Sequence, residues 1–463
     1  MQSIAVFSYV NPSGMEGSSQ PQPPAWSAAL RIVERLRQHG YQALFVGGCV
    51  RDQLLNIPPK DFDVATDARP EELKQLFPQA SLVGAHFGVI LVDGVQVATF
   101  RSDLAYADGR HPTAVQFETE LRPDALRRDF TINALFLDPL TGQLYDFVGG
   151  EADLRAGLVR AVGDPVARFS EDHLRLLRAV RFAARFGFQI EAQTHAAIRQ
   201  LHPLIRRVAP ERVREELLMI LTEGAARRGM ELLLDCGLLA EILPEVVALR
   251  GVEQPPEFHP EGDVWTHVLL MLEKMGKAPP ELALAVLLHD IGKPATFRIA
   301  GRIRFDGHVE VGVQMSREIL ARLRCSNQMI ERVTALVKHH MRFKDLPRMK
   351  ESTLKRFLRL PDFELHLELH RLDCLASHQQ LGTYELARRL FNQLAPEQLR
   401  PPRLLSGRDL IAAGYEPGPV FGKILQAVED AQLEGRIHTR DEALALAKQL
   451  AAPAESPLQP AGL

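Results

Sequence analysis

The sequence predicts a mixed α/β head followed by an all-α body, and three observations carry that prediction. Short apolar, β-branched runs bounded by turn residues recur between residues 42 and 138, helical periodicity takes over from about residue 151, and Gly/Pro clusters near 163–165, 203, 210 and 251–263 divide the helical part. A chain of 463 residues is also too long for one core, so several domains are expected.

Taken in order, residues 1–25 are polar and rich in Pro, Ser and Gly, and are expected to form a disordered tail. Residues 26–150 make the head. Its first helix, WSAALRIVERLRQH (26–39), ends at Gly40 and feeds the buried strand QALFV (42–46). Further strands are expected at FDVAT (62–66), GVILV (88–92), VQVATF (95–100) and ALFLD (134–138), the middle two joined by the tight turn Asp93-Gly94. Residues 151–225 read as a helical neck and 226–390 as a second helical domain. Residues 391–463 read as a helical tail that passes a Pro-rich break near Pro401 and ends in the polar stretch AAPAESPLQPAGL. No internal repeat occurs.

The formal net charge of −3 gives no global sign of nucleic-acid binding. Locally the balance differs: Arg155, Arg160, Arg168, Arg175, Arg178, Arg181 and Arg185 face only Asp164, Glu171 and Asp172 between residues 155 and 185. Cys49, Cys236, Cys325 and Cys374 are far apart and form no CxxC pair, which argues against a disulfide framework or a zinc knuckle. No run of about 18 apolar residues and no signal-peptide pattern is present. The expectation is a soluble, cytoplasmic protein with no membrane partner and no stable protein partner.

Four motifs carry chemistry. Gly47 and Gly48, between a strand and the short helix VRDQLL, would let a triphosphate approach the backbone, with Arg51 and the helix start adding positive character; alone, such a turn is equally a simple tight turn. Asp61-Phe62-Asp63 places two carboxylates on one side of an extended strand, where their repulsion is relieved by cations; alone, it is equally a solvated strand end. Arg127 and Arg128 offer guanidiniums to phosphate, with Asp129 and Asn133 able to hydrogen-bond a ribose; alone, the stretch is equally a helix start with charged first-turn residues. Arg178, Arg181 and Arg185 follow Asp172 and Arg175 at helical spacing, giving a face expected to look at phosphate.

In order, GGCVRD, KDFDVAT, RRDFTINA, EDHLRLLRAVRF and ERVREEL resemble the motifs of class II tRNA nucleotidyltransferases and bacterial poly(A) polymerases, across roughly residues 26 to 225. The resemblance implies a nucleotidyltransferase head that adds nucleotides to an RNA 3′ end, most naturally the CCA end of tRNA, from CTP and ATP. It implies that Asp61 and Asp63 are catalytic and hold two Mg²⁺ ions, one acting on the attacking 3′-hydroxyl and the other on the triphosphate and departing pyrophosphate. Gly47, Gly48, Arg51, Arg128, Asp129, Asn133, Arg178 and Arg181 would line the nucleotide. Asp172 and Arg175 would act as a protein template: a carboxylate accepts from the exocyclic amino group of C or A, a guanidinium donates to ring acceptors, and the carbonyls of U and G are repelled. Each mismatch strands a buried polar group at about 1–3 kcal/mol.

One departure stands out. Related enzymes often carry a third carboxylate where VQVATFR has Gln96, so either two aspartates suffice or Asp103 assists. The stretch DLAYADGRHP (103–112) looks intact relative to a flexible loop that CC-only relatives shorten, which favours CCA- or A-adding activity. An A-adding enzyme and a poly(A) polymerase share these motifs and stay open.

The second helical domain holds His267, His289-Asp290, His308, His339-His340 and Asp373, imidazoles and carboxylates on successive helices that suit transition metals or Mg²⁺. Residues 255–380 resemble the HD phosphohydrolase superfamily. The resemblance implies His267, His289, Asp290 and Asp373 as core metal ligands and His308 and His339 as ligands of a second metal. It makes an HD phosphohydrolase acting on RNA ends the rival from a different class. The stretch SGRDLIAAGYEPGPVFGKIL (406–425) resembles the tail that often ends these nucleotidyltransferases, which implies RNA binding by residues 391–463; alone, it is equally a simple helical cap.

Overall fold

The computed structural model describes residues 24–81, 88–106 and 112–451. The expected tail at 1–25 thus lies almost wholly outside the described residues, as do 107–111 of the loop and the chain beyond 451.

The first helix, α1 (Pro24–Gln38), buries the stripe Ala29, Ile32, Val33 and Leu36 and stops at Gly40. In β1 (Ala43–Val46) all four side chains are buried. Gly47 turns the chain into α2 (Gly48–Leu54), and β2 (Asp63–Thr66), α3 (Pro70–Leu76), β3 (Val89–Val92) and β4 (Val95–Thr99) follow. Asp93 and Gly94 both adopt positive φ, 48° and 82°, as a two-residue hairpin turn with right-handed strand twist requires. The sequence reads 103–112 as a loop; the structure instead makes β5 (Arg101–Tyr106) and β6 (Pro112–Phe117) a separate antiparallel hairpin of irregular register. After α4 (Leu121–Leu126), β7 (Leu135–Leu137) and β8 (Leu144–Asp146) complete a six-stranded sheet of order β3-β4-β2-β1-β7-β8.

The sheet is mixed, as expected: β2 and β4 are parallel and the other neighbours antiparallel. Val46 pairs with Asp63 on one side and Phe136 on the other. The glycine turn after Val46, the start of β2 and the chain entering β7 therefore meet at one end of the sheet, over a core of Leu44, Val46, Ala65, Phe100, Ala134 and Phe136.

The helical neck runs through α5 (Gly150–Ala156), β9 (Leu158–Val159), α6 (Pro165–Glu171), α7 (Arg175–Phe186), β10 (Gln189–Ile190), α8 (Ala192–Leu201) and α9 (Pro210–Thr222). Asp164 caps α6 by accepting from the amides of Val166 and Ala167, with Pro165 fixing the first turn. The next helices, α10 (Ala226–Asp235), α11 (Leu238–Ile242) and α12 (Pro244–Val247), fall in the 226–390 domain of the sequence reading, yet they pack with the neck. The reason is local. A Cβ on Gly229 would stand 2.2 Å from Ile220 Cγ2, so only glycine lets α10 close on α9, and Arg228 donates to the carbonyls of Ala183 and Phe188.

The chain divides into two compact units: the described residues to Ala248 with 276–280 and 321–325, and residues 249–275, 281–320 and 326–451. The second contains α13 (Val264–Met275), most of α14 (Pro280–Leu288), α15 (Lys293–Thr296), the hairpin β11 (Arg298–Ile299) and β12 (Ile303–Arg304), most of α16 (His308–Arg322), α17 (Asn327–His339), α18 (Glu351–Leu358) and α19 (Phe363–Ala376). Gly292 lets the turn after α14 touch α16, since a Cβ there would meet His308 O at 2.2 Å. Helix α20 (Gly382–Gln393) packs on Phe343, Phe357 and Phe363, and the tail follows as α21 (Pro396–Leu399), α22 (Gly407–Ala412), α23 (Pro419–Leu433) and α24 (Arg440–Ala451), the last three around Leu410, Ile424, Val428, Ala443 and Ala447. No described helix is long and apolar enough to cross a membrane.

Candidate functional site

At the end of the head sheet, Gly47 takes φ 75°, a conformation open to glycine. Two guanidiniums lie against the turn: a Cβ on Gly47 would be 3.3 Å from Arg128 Nη1, and one on Gly48 3.5 Å from Arg51 Nη2. Helix α2 is only seven residues long, so the positive character here comes from these side chains. Phe62 is buried against Phe45, rings 5.3 Å apart, and this fixes the chain between the two aspartates. Asp61 is exposed just before β2, and Asp63, half-buried, begins it. Burial raises the Asp63 carboxyl above its ordinary range, Arg128 opposes, and the charge of Asp61 pushes it further up. A pair of oxygen ligands in that condition fits a hard cation.

The parallel register Val64↔Val97 brings Gln96 beside Asp63 on the neighbouring strand. Gln96 is exposed and uncharged there. Asp103 belongs to the β5–β6 hairpin and pairs with Arg101 at 3.1 Å.

Asn133 links head to neck. Its Oδ1 accepts from Arg51 Nη1, its Nδ2 donates to Asp129 Oδ1 at 3.1 Å, and Asp129 Oδ2 accepts from Arg178 Nε and Nη2 at 2.9 and 2.7 Å. Burial alone would raise the Asp129 carboxyl; Arg178 and the Asn133 amide hold it well below the carboxylate range. Arg51 is itself buried, bound to Asp52 and covered by the rings of Phe182 and Phe186 at 5.1 and 4.7 Å. Arg127 and Arg128 share the buried Asp124, at 2.6 and 2.8 Å.

The arginine face of α7, expected to look at phosphate, also has carboxylate partners within the protein: Arg178 pairs with Asp129 and Glu216, Arg181 with Glu216, and Arg185 with Asp52 and Glu223. Asp172 lies between α6 and α7. Arg212 grips both of its oxygens, at 3.2 and 2.9 Å, and the Leu174 amide donates to Oδ1. Arg175 opens α7 and donates to Glu171 Oε2 at 2.6 Å. Arg212 and Glu216 escaped the sequence reading as functional groups; the motif ERVREEL, with the two four residues apart on α9, was the available signal.

The second unit gathers the histidines. His267 from α13, His289 and Asp290 after α14, His308 from α16 and Asp373 from α19 converge, His267 Nε2 standing 3.2 Å from Asp373 and His308 Nε2 3.7 Å from Asp290. The remaining member is His340, 3.8 Å from Asp290 Oδ1, and not the expected His339, whose ring faces His366 at 5.8 Å. Adjacent residues at a helix end point about 100° apart, so only one of the pair can face the cluster. Asp290 is 2 % exposed; burial would raise it, but His289, Lys293 and His340 hold it well below its ordinary range. The Nε2 atoms of His267, His289, His308 and His340 and Oδ1 of Asp290 are buried without hydrogen-bond partners among the described residues. Imidazole nitrogens and a carboxylate oxygen left in that state suit a divalent cation, and two groups, His267-His289-Asp290 and Asp290-His308-His340, have ligand atoms close enough to hold one. Glu261, His259, Gln254 and Lys293 surround the cluster and were not read as functional.

Three family models match the chain: the poly A polymerase head domain over residues 43–160, a probable RNA and SrmB binding site of polymerase A over 187–249, and the HD domain over 263–364. The CCA-adding enzyme of Enterococcus faecalis is 32% identical over 91% of this chain and 95% of its own length. The CC-adding tRNA nucleotidyltransferase of Thermus thermophilus is 36% identical over 86% and 92%. Among solved structures, the Bacillus stearothermophilus CCA-adding enzyme in complex with CTP superposes with a TM-score of 0.70 at 29% identity, covering 92% of this chain and 98% of that one.

Proposed function

Because the chain belongs to the family of CCA-adding tRNA nucleotidyltransferases, we propose that it adds C, C and A in turn to the 3′ end of tRNA, or repairs that end, from CTP and ATP. One observation carries the reading: Asp61 and Asp63 meet the Gly47-Gly48 turn and Arg128 at one end of the head sheet.

Asp61 and Asp63 would hold two Mg²⁺ ions, which would supply charge stabilisation for the attacking hydroxyl, the triphosphate and the departing pyrophosphate. Gly47 and Gly48 let phosphate oxygens approach the backbone, and Arg128 supplies a guanidinium beside them. The chain Arg51–Asn133–Asp129–Arg178 fixes the wall behind the nucleotide, joining α2 to α7. Arg181 completes that wall from Glu216. Asp172, held in one orientation by Arg212, keeps lone pairs for the amino group of cytosine or adenine, and Arg175 donates to the ring acceptors.

The test is incorporation of labelled CTP and ATP, separately and together, into tRNA transcripts ending before CCA, after C and after CC, by wild type and Asp61→Ala. Two C followed by one A, lost in the variant, is the expected result. Addition of A alone, of C alone as the name of the Thermus relative describes, or of long A tails would each replace the proposal with a narrower or different polymerase.

A second reading concerns the histidine cluster, and its five buried, unpartnered ligand atoms favour it. His267, His289, Asp290 and Asp373, joined by His308 and His340, would hold one or two divalent ions, Mg²⁺ or a transition metal, whose chemistry would be activation of water for phosphate-ester hydrolysis. Phosphate release from p-nitrophenyl phosphate or opening of 2′,3′-cyclic AMP with added Mn²⁺ or Ni²⁺, lost in Asp290→Asn, is the expected outcome; no turnover with any of these would leave the cluster a binding centre only.

A further inference from the structure

The loop that precedes α13 does more than connect helices. Its base is tied: Asp263 accepts from the Gly251 amide at 2.7 Å, caps α13 through the Thr266 amide at 2.9 Å, and the Val264 amide donates to Val252 O. Two of its side chains then reach ligands of the histidine cluster. Glu261, whose side chain is 5 % exposed, accepts on one oxygen from His267 Nδ1 at 2.7 Å and from His259 Nδ1 at 2.9 Å. Gln254 Oε1 accepts from Lys293 Nζ at 2.6 Å, and Lys293 in turn contacts Asp290 at 2.6 Å.

We infer that loop 251–263 positions the metal ligands, with Glu261 as the residue that dictates which nitrogen of His267 binds the ion. The inference rests on the metal-centre reading above. A neutral imidazole has one N–H and one lone pair. The carboxylate of Glu261 takes the N–H on Nδ1, so Nε2, 3.2 Å from Asp373 and on the ring that faces His289 at 5.4 Å, is the nitrogen whose lone pair an ion held together with Asp373 would meet. His267 is fully buried and cannot turn to offer the other nitrogen without abandoning that bond. His259, its ring edge-on to His267 at 5.1 Å, pins the same Glu261 oxygen from the far side, so the carboxylate has one orientation. Carboxylates behind a ligating imidazole also raise its basicity, and losing one costs about 10- to 100-fold in metal affinity. Glu261 is therefore a positioning residue for the centre, and Gln254 acts likewise on Asp290 through Lys293.

The experiment uses the full chain, wild type and Glu261→Gln, titrated with Zn²⁺ by calorimetry, and histidine nitrogen and imino-proton resonances recorded on the Zn²⁺-loaded protein. In wild type, His267 is expected to carry its proton on Nδ1 and the metal on Nε2. In Glu261→Gln, Zn²⁺ affinity should fall about 10- to 100-fold and the His267 Nδ1 proton should exchange rapidly, while CTP and ATP incorporation by the head stays at the wild-type rate. Unchanged affinity with an unchanged Nδ1 proton would overturn the inference and leave the metal centre standing. Metal on Nδ1 in wild type would overturn it too, without any variant having to fold. A wild-type chain that binds no Zn²⁺ would remove the metal-centre reading itself.

Discussion

The glycine-turn site and the histidine cluster handle buried charge in opposite ways. Around the turn, nearly every charged side chain has a partner from the protein: Arg178 with Asp129, Arg181 with Glu216, Arg128 with Asp124, Asp172 with Arg212. The wall is electrostatically complete, and the raised Asp63 beside Asp61 is where charge is left unbalanced. In the cluster, His267, His289, Asp290 and His340 sit at 0–4 % exposure beside the partly buried His308, and the Nε2 atoms of the four imidazoles and Oδ1 of Asp290 have no hydrogen-bond partner among the described residues. On the proposed reading, the first site orients a ligand against a finished surface, whereas the second is completed by an ion. Substitutions should therefore separate function from stability in the first and join them in the second.

The largest effect tests the first half of that contrast. Asp61 is exposed and makes no structural core, so Asp61→Ala should lower nucleotide incorporation about a thousandfold or more, as loss of several kcal/mol of charge stabilisation implies, while the melting temperature stays unchanged. A melting temperature that falls along with activity would erase the contrast. In the cluster, Asp290→Asn leaves Lys293 buried without its carboxylate, and breaking such a pair costs about 3–5 kcal/mol. That variant should lose bound metal and melt earlier, read by metal analysis and calorimetry on the same sample; loss of metal with unchanged melting would break the comparison.

Acid should also divide the two units. Burial, with Arg342 and Lys338 adding to it, depresses His339 to about 4; burial, with His339 adding to it, depresses His366 to about 4; burial depresses His370 to about 4 against the pull of Asp373. Their ordinary value is 6.5, so the unfolded chain takes up protons that the folded unit refuses. The stability these groups contribute is complete above pH 6.5 and is lost as the pH falls towards 4. In the head, Asp124 and Asp129 are depressed carboxylates and keep their charge throughout that window. Trp26 lies in the first unit and Trp265 in the second. Fluorescence melts of Trp26→Phe and Trp265→Phe at pH 7 and pH 4.5 should therefore show the Trp265 transition shifting down further than the Trp26 transition.

How much of this was legible in the sequence follows the reach of each signal. The strands at 43–46, 89–92 and 95–99 and the Asp93-Gly94 turn were readable because period and turn chemistry act over a few residues. The β5–β6 hairpin was not, because DLAYADGRHP carries the composition of a loop, and its pairing is set by partners across the hairpin. The ordered motifs located the head site. They could not show that Arg178 and Arg181 also pair with Glu216, since that depends on α9 packing against α7. Glu261 was invisible for the same reason: a glutamate in the loop GVEQPPEFHPEGD looks solvated until the fold sets it against His267.

The smallest expected effect concerns the dipeptide on which sequence and structure part. His340→Ala removes a nitrogen 3.8 Å from Asp290 and should weaken metal binding at least about tenfold. His339→Ala removes a ring that touches His366 instead, so metal affinity should stay within about twofold of wild type, the spread left when distant sites act independently. The same substitution takes away one of the depressed imidazoles and a neighbour that depresses His366, so it should make the second unit slightly less acid-sensitive. Opposite rankings of the two variants in a Zn²⁺ titration would return His339 to the centre and mean that the end of α17 is turned by one residue. The expected ranking would show that the cluster selects its ligands by direction around the helix axis, a property that adjacent histidines cannot share.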